Sequence, residues 1–107
     1  MSKITINYKE KDYTLEYNRQ SVRMMESQGF VLDQISTKPA TMIPMMFSGA
    51  FMKNHRGLKR AFIDEIFDET VDKTGLLNAL MEMYAETLST LTDETEVEGN
   101  AIWAVVN

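Results

Sequence analysis

The chain has 107 residues, 11 basic and 16 acidic side chains, a net charge of −5 and no cysteine. That length builds one ordinary core, and the missing thiols exclude disulfides, thiolate metal sites and cysteine nucleophiles. The acidic balance argues against duplex nucleic acid, whose affinity comes chiefly from Lys and Arg on phosphates.

Hydrophobic residues at 44% and charged residues at 25% describe a globular chain. The opening "MSKITINYKEKDY" has no apolar run followed by a small-residue cleavage site. No uncharged run approaches the roughly 20 apolar residues of a bilayer span. A soluble intracellular protein with no membrane partner is expected.

Ile4, Ile6 and Tyr8 alternate with Lys3, Thr5 and Asn7, and Tyr13, Leu15 and Tyr17 alternate with Thr14 and Glu16. This period of two predicts a β-hairpin over residues 3–17, with Lys9–Asp12 as its loop. A lone hairpin is marginal in water, so its apolar face must lie on helices.

The helical body is expected over residues 18–91. Asn18 caps a short helix through Gln28, with Gly29 in the left-handed position beyond it. Val22, Met24 and Met25 are its apolar residues. One helical turn is expected near Leu32–Ile35. Thr41 then opens a helix with Pro44 in its first turn.

On that helix Met42, Ile43, Met46, Phe47, Ala50 and Phe51 cover one half of the surface, and Met45 and Met52 much of the other. "KNHRG", Lys53–Gly57, ends it with cations suited to a helix C-terminus. A two-faced helix follows from about Lys59 to Asp72, with Phe62, Ile63, Ile66, Phe67 and Thr70 opposite Asp64, Glu65, Asp68 and Asp72. After a turn at "DKTG", a longer helix runs from about Gly75 to Leu91. Residues 92–107 form an acidic tail ending in a strand-like "AIWAVV", Ala101–Val106, which holds the only tryptophan. The fold class is therefore α+β: a hairpin on about four helices, with a possible C-terminal edge strand beside it or an arm free to join a partner's sheet.

Nothing in the sequence assembles a catalytic, cofactor-binding or metal site. The sole histidine, His55, sits in a basic turn, which excludes two-His metal motifs. The Asp64/Asp68 pair lies on a solvated helix face. The glycines are scattered, and Ser48-Gly49 lacks a nucleophile elbow's context. A helix-turn-helix reading of "KNHRGLKR" meets five acids between Asp64 and Asp72, where a recognition helix would face DNA.

The methionines number nine. Flexible and polarisable, they fill irregular gaps and suit surfaces that accept varied apolar partners. Met24, Met81 and Met83 are expected in the core. Met42, Met45, Met46, Phe47, Phe51 and Met52 are candidate partner-binding residues, because a helix apolar all round is either central or shared with a partner. Trp103, in the terminal segment, joins them.

The order "ITINYKEKDYTLEYNRQSVRMMESQGF", "KPATMIPMMFSGAFMKNHRGLKRAFIDEIFDE", "LLNALMEMYAETLSTL" and "EGNAIWAVVN" resembles the small tail assembly chaperones of long-tailed phages and prophages of Gram-positive bacteria. The resemblance spans nearly the whole chain and rests on apolar patterns and helix order. It implies a non-enzymatic protein of the bacterial host cytoplasm that binds the tape measure protein, keeps it soluble, and yields as tail tube protein polymerises around it. Self-association is a corollary, since like subunits can shield each other's apolar patches. A small head–tail joining component is the alternative, with a DNA-binding regulator behind it.

Overall fold

The computed structural model describes residues 2–91, 101 and 104–106. It shows an α+β fold: an antiparallel hairpin of β1 (Ile4–Tyr8) and β2 (Lys11–Leu15), then α1 (Arg19–Ser27), a 3-10 turn (Leu32–Gln34), α2 (Pro39–Gly49), α3 (Arg60–Asp68) and α4 (Lys73–Ser89). None of the described helices is long and apolar enough to cross a membrane.

The hairpin loop is tighter than the polar "KEKD" suggests. Tyr8 pairs with Lys11, so only Lys9 and Glu10 form the turn, at φ 51° and 67°. Two left-handed residues match the strand twist. Ile4 and Ile6 face Leu15 and Tyr13 across the ladder, which places the apolar side chains on one face. That face rests on the helices: Tyr13 packs on Phe51 and Phe62 with ring centroids 6.1 and 6.2 Å apart. At the hairpin tip, the Tyr8 hydroxyl donates to Glu65 of α3 at 2.6 Å, and Lys9 lies 3.4 Å from the same carboxylate.

Helix α1 begins where the sequence places it. The Asn18 side chain accepts from the Ser21 N–H, and Ser21 Oγ accepts in return from the Asn18 N–H, a reciprocal cap. Gly29 follows the helix at φ 98°. Val22 and Met25, one turn apart, are buried. Arg19 reaches the far end of α4 and donates to the carbonyl and hydroxyl of Thr90, a cation at a helix C-terminus.

Helix α2 starts earlier than Thr41. Lys38 is the N-cap and Pro39 the first helical residue, a position whose N–H has no intrahelical partner in any case. Pro44 then lies inside the helix, leaving the carbonyl of Ala40 unbonded from that side, in an exposed first turn where solvent can reach it. The helix ends at Gly49, and residues 50–54 continue as turns. Likewise α3 stops at Asp68. Asp72 leaves that helix altogether to cap α4, accepting from the Gly75 N–H at 3.1 Å.

The core is centred on α2. Met42, Met46, Phe47, Ala50 and Phe51 are buried between the hairpin and helices α1, α3 and α4. Rings lock it from two sides: Phe47 meets Phe67 at 5.2 Å, and Tyr17 and Phe30 both meet Tyr84, at 5.2 and 5.1 Å. The buried Tyr17 hydroxyl donates to the Met46 carbonyl. Burial first, and the neighbouring Tyr84 second, push its phenol well above the ordinary range.

The possible edge strand does not join the sheet among the described residues, which contain two strands. Ala101, Ala104, Val105 and Val106 lie outside any strand and are exposed, while Ile102 and Trp103 fall outside the described residues. The outer edge of β2 is already taken. Its Thr14 N–H donates to His55 Nε2 at 3.0 Å, its Thr14 carbonyl accepts from Asn54 at 3.2 Å, and the next N–H of the chain there, Glu16, donates to the Ala50 carbonyl at 3.0 Å.

Candidate functional site

The segment just after α2 is a latch. Lys53, Asn54 and His55 turn back onto the end of β2. Glu16 is buried beneath them, receiving Lys53 Nζ at 2.8 Å on one oxygen and Asn54 Nδ2 at 3.0 Å on the other. Those hydrogen bonds, Lys53 first, hold its carboxyl below the ordinary carboxylate range against the opposing effect of burial. His55 is thus a structural acceptor for a strand N–H, packed edge-on against Tyr13 at 5.2 Å.

The latch leaves a groove between itself and α1. Asn18, Gln20, Ser21 and Met24 line one wall, and Met52, Lys53 and Arg56 the other, around a volume of about 210 Å³. Its apolar side chains are two methionines. Met24 is 45% exposed, and Met52 is half-buried. Its charged lining residues are two cations and no carboxylate. Lys53 is committed to Glu16, whereas Arg56 makes one long contact, 3.4 Å to Gln20. On the other side of α1 a second groove of about 190 Å³ runs along α4, lined by Val22, Leu88 and Leu91 with Arg19, Arg23 and Glu26.

The structure divides the residues expected to bind a partner. Met42, Met46, Phe47 and Phe51 are enclosed in the core at 4% exposure or less, and a core role replaces the partner-binding one. The reason is geometric: α2 is covered by three helices and a hairpin, so most of its circumference faces protein. Met45 and Met52 stay half-buried. Trp103 lies outside the described residues. Conversely Met24, expected in the core, is at the surface. At about 100° per residue it sits some 200° from Val22 and 100° from Met25, off the stripe those two define. That angular mismatch was visible in the sequence and is the signal that finds it.

Fold and surface together define a small α+β domain carrying a groove beside a helix, lined by two methionines and rimmed by two cations. The chain belongs to the family described as Domain of unknown function (DUF5055), whose model matches residues 1–106. No curated protein and no solved structure matches it.

Proposed function

We propose that this protein is a non-enzymatic assembly chaperone of the phage-tail type, which binds the tape measure protein in the bacterial cytoplasm and keeps it soluble until tail tube subunits enclose it. The observation that carries this reading is the pair of surface methionines, Met24 and Met52, that line one groove together with Lys53 and Arg56. Thioether side chains adapt to non-identical apolar residues, which a long client helix offers in succession. The acidic remainder of the surface, at a net charge of −5, keeps a complex dispersed. The sequence resemblance over nearly the whole chain supplies the client's class.

Co-expression with the tape measure protein tests this. The expected result is a soluble client that co-purifies with the chaperone and is lost when Met24 and Met52 are both replaced by serine. A client that stays insoluble, with nothing co-purifying, contradicts it. Finding the protein in purified virions instead would favour a head–tail joining component.

A further inference from the structure

The corner between α3 and α4 presents an apolar side chain that the fold does not use. Val71 is 90% exposed. Asp68, Glu69 and Asp72, all exposed, surround it in sequence. The corner is stiff. Lys73 Nζ donates to the carbonyls of Asp68 and Thr70 at 3.1 and 3.0 Å and lies 5.7 Å from the Phe67 ring centroid. Asp72, at φ 58°, holds the Gly75 N–H. A side chain carried on a fixed corner loses little conformational freedom when it docks.

The Met24–Met52 groove is the complement of this corner. Its two methionines offer an apolar seat for the valine, and its lining charges are cationic where those beside Val71 are mainly acidic. Its volume of about 210 Å³ falls below the roughly 300–1,000 Å³ of small-molecule sites. It fits a side chain better than a metabolite.

The geometry points to a second copy of this chain as the occupant of the groove: the Val71 corner of one copy seats between Met24 and Met52 of the next, with Arg56, whose one contact within the chain is long, facing Asp68 and Glu69. Knob and groove are different surfaces, and in a heterologous contact between them each added copy offers one of each to the next. Assembly therefore runs head to tail. A single side-chain knob covers less than the roughly 1,200–2,000 Å² of a stable complex, so each contact is weak, and its exposed charge pairs make it salt-sensitive. The pairing stands on this chain alone. That a client displaces the knob from the groove rests on the chaperone reading.

Sedimentation velocity of the purified chain without client tests the pairing. Wild type should show a weight-average coefficient that rises with concentration and falls with added salt. Val71→Ser and Arg56→Glu alter exposed side chains, keep the fold by circular dichroism, and should each remain monomeric. Mixed together they should form a one-to-one dimer and nothing longer, since one retains a groove and the other a knob. A wild type that stays monomeric throughout, variants that associate like wild type, or a mixture that stays monomeric would each overturn the proposal. None of these outcomes bears on whether a client is bound, which the co-expression experiment decides separately.

Discussion

Replacing Gly49 by alanine puts a methyl carbon where α1 and α2 touch. A Cβ built at this position lies 2.3 Å from Met25 Sδ, 2.8 Å from its Cγ and 2.9 Å from its Cε, against about 3.5–4.0 Å for an ordinary contact. Met25 is 1% exposed, so its side chain has no open space to swing into. Either it leaves its rotamer or α1 moves. Overpacking of this kind costs about 1–3 kcal/mol, and the better helix propensity of alanine returns at most about 1 kcal/mol. Taking the middle of that range, the net loss is about 1 kcal/mol, which for a domain near this size lowers Tm by roughly 4–8 °C.

Thermal melts followed by far-UV circular dichroism would measure it. In a Met25→Ala background the clash is gone, so Gly49→Ala should cost nothing there or stabilise. The cycle should show a favourable coupling of about 1 kcal/mol or more. Equal losses in both backgrounds, or a Gly49→Ala melt at or above wild type, would refute the argument that this contact seats α1 and thereby spaces Met24 from Met52.

Other perturbations follow from the same geometry. Glu10→Gly should stabilise by about 0.5–1 kcal/mol in urea titrations, because Glu10 holds φ 67°, a left-handed conformation that strains a residue with a Cβ; a lower midpoint would contradict this. His55→Ala removes the acceptor of the Thr14 N–H and should cost about 1–3 kcal/mol, with faster amide exchange at Thr14 as the local readout. The Glu16 carboxyl is held below its ordinary 4.5 by Lys53 and Asn54, so the unfolded state binds the proton more readily. Its contribution is complete above that ordinary value and is lost as pH falls through the lowered one. The urea midpoint of wild type over Glu16→Gln should therefore be largest above that ordinary value and shrink as the solution is acidified below it; a gap that widens on acidification would be the wrong sign.

The hairpin and the first helix were legible in the sequence because each is fixed by local chemistry: period-two side chains in Ile4–Tyr8, the Asn18 cap and Gly29. Boundaries that depend on which of two competent signals wins were less so. Pro39 and Thr41 can each open α2, and the structure uses the proline. Asp72 can end one helix or cap the next, and it caps α4.

The candidate site was only partly legible. Helical periodicity identified α2 as apolar all round, but whether such a helix meets a partner or its own fold depends on how many neighbours cover it. Here the covering is nearly complete. The groove exists because Glu16, Lys53, Asn54 and His55, remote in sequence, close the latch that stands opposite Met24. Two of its defining side chains, Met24 and Arg56, carried no local mark of that partnership.

The most direct test of the account labels the methionine methyl groups with carbon-13 and titrates the protein with a soluble helical segment of the tape measure protein. Nine methionines give separate probes of the core and the surface. The resonances of Met24 and Met52 should shift and saturate together while those of buried Met42, Met46 and Met83 hold their positions. Shifts confined to other methyls, or a spectrum that does not change, would contradict it.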